Sequence, residues 1–115
     1  MSLESILLTL CLAAHLDCSN VTSIEWAPTT HRDIQGQIFE YNDGTRKIIL
    51  NESKKEQWSE YKIKQVISHE LAHHVEFNRH NYTHDVKWEK SCKKIMKAAK
   101  VRGIGLCGSH GTQYR

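Results

Sequence analysis

His69, Glu70 and His73 stand in the order His69-Glu70-Leu71-Ala72-His73, an HExxH pattern, and can do chemistry together. On a helix, positions i and i+4 share one face, about 5–6 Å apart at Cβ. That separation lets two imidazoles converge on one metal ion. Glu70 follows the first histidine and lies roughly 100° round the helix from it. From there its carboxylate reaches a water beside the ion rather than the ion itself, the position of a general base. The blander reading is two surface histidines on an amphipathic helix, with Glu70 a surface carboxylate that has no role. The expected cofactor is Zn2+.

HExxH supplies two ligands, and a catalytic zinc takes a third from the protein while keeping one position open. His74, His80, His84, Asp85 and Glu89 are the downstream candidates. His74 adjoins His73 and points about 100° away from it. His80 comes one residue late for the pattern HExxHxxGxxH, and Glu76 replaces the glycine that this pattern needs for its turn. Glu89 has a short spacing and depends on which face the next helix presents. His84 falls where a loop meets the next helix start, and a loop of this length can fold back over the metal. His69, His73 and His84 are therefore the expected metal ligands, with Glu70 catalytic. Asp85 is either a partner to these ligands or a favourable charge at a helix N-terminus.

These residues need elements to hold them. Leu3, Leu7, Leu10 and Ala14 recur at helical spacing and predict a helix over residues 3–17. The apolar run at 6–16 has no basic leader and carries no convincing cleavage site, so it reads as a structural helix rather than a signal peptide. Residues 21–26, 37–41 and 45–50 predict strands, the last two joined by the turn signal Asn42-Asp43-Gly44. Ser53 and Glu56 form an S-x-x-E capping box. It opens either a helix running toward Phe77 or a short lead-in before one starting near Ser59. Val66, Glu70, His73 and Phe77 form one stripe of that helix; Ile63, Ile67, Leu71 and His74 form another. A helix apolar on two stripes is buried on more than one side. A last helix over 85–101 has the core stripe Trp88, Cys92, Ile95 and Ala99, and residues 104–115 read as a glycine-rich tail. The expected class is α+β: an N-terminal helix, a small antiparallel sheet of about three strands, the HExxH helix and a C-terminal helix. One domain over residues 1–115 accommodates all of it.

Hydrophobic content of 39% and charged content of 25% suit a globular protein, and no stretch approaches the roughly 20 apolar residues that span a bilayer. The four cysteines, Cys11, Cys18, Cys92 and Cys107, contain no C-x-x-C pair. Without a secretory signal they read as reduced thiols in a cytoplasmic protein, Cys11 and Cys92 buried and Cys18 and Cys107 in loops. A second metal site at Cys107 and His110 lacks obvious partners. Residues 86–102 carry +6 while the whole chain carries +3, which leaves −3 elsewhere. Lys87, Lys90, Lys94 and Lys97 recur on one face of that helix, a footprint for DNA or another polyanion, or simply a solvated face.

HELAH followed by His84-Asp85-Val86-Lys87-Trp88 resembles the SprT-like, or Spartan-like, zinc metalloproteases. Their metal site is HExxH plus a histidine in a downstream H-G-x-x-[WF] segment. Ile24-Glu25-Trp26 looks like the family's first strand, and Gly36 falls where its members carry a glycine before the next strand. Ile48-Ile49-Leu50-Asn51 resembles the strand before their active helix. Asp85 departs from the family's usual glycine. The resemblance implies a zincin-like minimal catalytic domain, of the size found in bacteria or their viruses, that hydrolyses peptide bonds in a protein or peptide substrate. It also implies an association with DNA, which favours the lysine face as a contact. Tyr82, Tyr114, His80 and His110 are the conceivable oxyanion partners. Two other readings stand beside it: a regulatory protease of another minimal HExxH family, and a non-catalytic zinc-stabilised module that binds nucleic acid or protein.

Overall fold

A computed structural model describes residues 1–77, 84–102 and 106–107. Its described elements are α1 (Leu3–Ala13), β1 (Val21–Ala27), β2 (Gly36–Glu40), β3 (Arg46–Asn51), a 3-10 turn (Glu52–Lys54), α2 (Glu60–Val75) and α3 (Val86–Ala98). The class is α+β, with three helices against a three-stranded sheet.

The sheet is mixed, not antiparallel, with strand order β1-β3-β2. β2 and β3 form the expected hairpin, pairing antiparallel from Gly36↔Leu50 to Glu40↔Arg46. Gly44 adopts φ 87° in its turn, and the Asp43 carboxylate accepts from Thr45 N at 2.9 Å. β1 instead lies on the far side of β3 and runs parallel to it, through Ile24↔Ile48 to Ala27↔Asn51. The cause lies in residues 28–35, which cross the end of β3 where a tight turn would have returned beside β1. Asn51 holds that crossing. Its side-chain amide donates to the carbonyls of Arg32 (3.0 Å) and Ile34 (2.9 Å), and its backbone N–H donates to Gln35 O (2.9 Å).

Alternation along the strands assigns the faces. Ile24, Ile38, Ile48 and Leu50 enter the core shared with the helices. Gln37, paired with Ile49, is fully buried on the other face, where its side chain bonds Thr30. α1 contributes Ile6, Leu7, Leu10 and Cys11 to the core. It stops at Ala13, short of the expected 17, because His15 takes φ 55° and the chain folds back. A straight helix would carry Cys18 about 10 Å past Cys11; the reversal brings their Cα atoms to 6.3 Å, and a disulfide joins them.

A second bridge joins Cys92 to Cys107. The expectation of four reduced thiols is thus overturned: no described cysteine is free. Cys107 is not a loop thiol but 1% exposed, and as a disulfide partner it offers no thiolate for a second metal site. Charge pattern and motif reading did not signal this, because the bridges close only through the tertiary fold. Among the described residues, no helix is long and apolar enough to cross a membrane.

Candidate metal centre

α2 carries the site. Its N-terminus is set by Ser59, whose hydroxyl accepts from Lys62 N, so Ser53 and Glu56 do not open it. Asn51 caps the preceding 3-10 turn instead. Every residue from Val66 to His74 is buried, as the two apolar stripes require. The helix lies across β2 and β3 on one side and α3 on another, so the HExxH segment sits at the centre of the fold.

α3 delivers the third histidine. Asp85 caps this helix, its carboxylate accepting from Trp88 N at 2.8 Å. Asp85 therefore serves the helix terminus, and His84 is fixed one residue before it. Trp88, four residues on and 1% exposed, stacks on the His84 ring at 4.1 Å and 22°. Its ring also meets His69 at 4.8 Å and His73 at 5.2 Å. The tryptophan of H-D-x-x-W is thus the wall on which all three imidazoles rest, as well as a core residue.

His69, His73 and His84 are all buried, and one ring nitrogen from each lies within 4.8 Å of the other two. His73 Nε2 and His84 Nε2 are 3.2 Å apart. Tetrahedral coordination at roughly 2.0–2.1 Å places ligand nitrogens about 3.3 Å apart, so this pair has a metal's spacing. His69 Nδ1 donates to Leu106 O at 2.8 Å, which leaves Nε2 as the lone-pair nitrogen. That Nε2 is buried with no hydrogen-bond partner among the described residues. Both carboxylate oxygens of Glu70 are in the same condition, one of them 4.0 Å from His69 Nε2.

The electrostatics follow from burial. Desolvation pushes Glu70 up to about 8. It drives His69 down to about 4, helped by the neighbouring His84 ring, and lowers His73 and His84 as well. Neutral imidazoles are what a metal requires. Three such rings beside a carboxylate without a partner form an expensive cluster for a folded core. A cation at their centre would satisfy the orphaned nitrogen and offset the carboxylate's desolvation. The residues fit a divalent metal of the imidazole-binding class.

The remaining candidates go elsewhere. His74 Nε2 donates to Asp17 O and its Nδ1 accepts from Arg46, both at 2.8 Å, so it is a core histidine. Glu89 pairs with Lys93 along α3 at 2.8 Å. His80, Tyr82, His110 and Tyr114 lie outside the described residues. Lys87, Lys90, Lys94 and Lys97 are all exposed, on the side of α3 away from Trp88, Cys92 and Ile95. Two contributors were not read from the sequence: the Leu106 carbonyl, which no side-chain motif can signal, and the Cys92–Cys107 bridge beside it. Gly36, which the sequence marks only by its resemblance to the family, also serves the site. A Cβ there would stand 3.3 Å from Glu70 Cγ.

The model of the SprT-like family matches residues 13–112, a span that includes both halves of this site. No curated protein and no solved structure matches the chain.

Proposed function

The chain belongs to the SprT-like family, and we propose that it is a zinc-dependent metallopeptidase that hydrolyses peptide bonds in protein substrates. One observation carries the reading: three buried histidines converge beside a buried glutamate whose carboxylate has no hydrogen-bond partner among the described residues. A purely structural zinc takes four protein ligands and has no use for a base. That disfavours the alternative of a non-catalytic binding module.

His69, His73 and His84 are the ligands in this reading. Zinc, when bound, supplies Lewis acidity toward a carbonyl oxygen and acidifies water. Glu70 takes the proton of the attacking water and holds it at its carboxylate for the leaving amine nitrogen. Burial raises the carboxyl's proton affinity, and a cation held by the neighbouring histidines would lower it again, so that the carboxylate form is available to accept a proton. The Leu106 carbonyl orients His69, and Trp88 excludes water from the rear of the three rings.

Substrate proteins bound to DNA would be recruited by the exposed lysines of α3, Lys87, Lys90, Lys94 and Lys97. Their arrangement favours phosphate contacts over base edges. The bridges bear on where the chain works. Disulfides persist in oxidising compartments, so a cytoplasmic location would require both to withstand a reducing thiol pool.

The test is Glu70→Gln, assayed with an unstructured protein substrate, with and without DNA. The variant should retain zinc and its fold and lose about 10²–10⁴-fold in hydrolysis. His84→Ala should release the metal. Cleavage by Glu70→Gln at the wild-type rate, or a wild type that holds no zinc, refutes the mechanism.

A further inference from the structure

The Leu106 carbonyl reaches His69 from the far end of the chain, 37 residues on. Leu106 and Cys107 are the last described residues, and Cys107 is bridged to Cys92 in the middle of α3. Cys92 is fully buried, one turn from Trp88, the residue on which the histidines rest. The bridge therefore fixes the peptide next to the hydrogen-bond acceptor directly onto the helix that forms the wall of the site. We propose that the Cys92–Cys107 disulfide is a positioning device for the metal centre: it holds the Leu106 carbonyl on His69 Nδ1, and so sets which His69 nitrogen faces the metal. The proposal rests on the zinc reading for its consequence, though not for the hydrogen bond itself.

A neutral imidazole has one N–H, and the acceptor opposite Nδ1 decides that Nε2 keeps its lone pair. A backbone carbonyl on an untethered segment exchanges this bond with water. A carbonyl adjacent to a buried crosslink does not leave without the crosslink opening. His74 shows the same construction on the opposite side of α2. Its Nε2 donates to Asp17 O, and the next residue, Cys18, is bridged to Cys11. The two bridges thus pin two histidines of one helix by the same device. Only the Cys92–Cys107 bridge serves a ring that faces the metal cluster, which makes the other bridge an internal control.

Reduction opens the bridge chemically. A phosphine delivers two electrons to the S–S bond, two thiols form with protons from water, and the phosphine takes the water's oxygen. Zinc affinity would be measured by competition with a chromogenic chelator, for oxidised wild type, phosphine-reduced wild type, Cys107→Ser, and the control Cys11→Ser/Cys18→Ser. The metal-free protein would be followed by NMR at the His69 Nδ1–H proton. Losing an outer partner of a metal-bound histidine weakens affinity by about 10–100-fold. That loss is expected for the reduced protein and for Cys107→Ser, but not for the control. The Nδ1–H signal should be protected in the oxidised protein and exchange rapidly once the bridge is open. Equal zinc affinity with the bridge open and closed overturns the proposal, as does an equal loss in the control. If oxidised wild type itself holds no zinc, the metal reading fails, and the NMR signal alone decides the tether. Circular dichroism checks folding. Should the reduced protein unfold, Cys107→Ser carries the test, since it leaves Cys92 and the Cys11–Cys18 bridge in place.

Discussion

Gly36→Ala adds one methyl group at the point where β2 meets α2. That methyl would stand 3.0 Å from Val66 Cγ1, 3.2 Å from Ile49 O and 3.3 Å from Glu70 Cγ. Carbon atoms rest at about 3.5–4.0 Å, so the contact with Val66 is short by roughly 0.5 Å or more. None of the three neighbours can easily withdraw. Val66 and Glu70 are each 1% exposed, and Ile49 O belongs to the central strand. The relief must come from α2 moving off the sheet or from Glu70 changing its aim. Overpacking of this kind costs about 1–3 kcal/mol. At roughly 4 °C per kcal/mol for a chain of this length, the melting temperature should fall on the order of 4–12 °C. A catalytic group misplaced by 1 Å loses about 10²-fold. Half that displacement predicts a loss on the order of tenfold in kcat/KM. Where Glu70 yields rather than the helix, zinc affinity should fall much less, because His69 is held by the Leu106 carbonyl and His84 by the Trp88 stack, away from the added methyl. Thermal unfolding, chelator competition and peptide hydrolysis on one preparation separate these effects. A variant that melts and cleaves like wild type refutes the packing argument. A variant that loses zinc in step with activity refutes the claim that Glu70, rather than the metal, is what Gly36 accommodates.

Asp85→Ala removes the cap of α3 and should cost about 1 kcal/mol by thermal unfolding, while Asp85→Asn, which can still accept from Trp88 N, should recover most of it. Because His84 immediately precedes the cap, Asp85→Ala should also weaken zinc retention, and unaltered retention would mean that the Trp88 stack alone holds the ring. Replacing Lys87, Lys90, Lys94 and Lys97 with glutamine should leave zinc in place and flatten the salt dependence of DNA binding. The wild-type slope should be about −0.7 to −0.9 in log K against log salt per phosphate neutralised, and a wild type with no salt-sensitive binding leaves this face merely solvated.

The histidines and Glu70 were legible because their relation is local. Four residues of helix fix the geometry of His69 and His73, and two apolar stripes announce that the helix is buried. His84 was legible through its place along the chain, eleven residues beyond His73 and just before a helix start. The strands were placed within a residue, and Asn42-Asp43-Gly44 located the hairpin, because turn chemistry is local too. The sheet's mixed order was not, since it depends on how residues 28–35 cross β3 and on a single side chain, Asn51, that bonds the crossing. The disulfides were missed for the same reason. Cys11 and Cys18 meet only because His15 reverses the chain, and Cys92 and Cys107 only because Cys107 is packed back against α3.

What the sequence states locally is the set of groups that would touch the metal and the substrate. What it leaves unstated is how rigidly those groups are held. The rigidity comes from long-range partners: a backbone carbonyl for His69, an indole for all three rings and a missing Cβ beside Glu70. Catalytic power depends on that second set as much as the first, because a base or ligand out of place by an ångström loses most of its effect. A chain with the same HExxH and His84 but an open bridge, or alanine at position 36, would carry the motif intact. It should nonetheless work far more slowly, and in opposite ways: weak metal and a sound base in the first case, a sound metal and a misplaced base in the second.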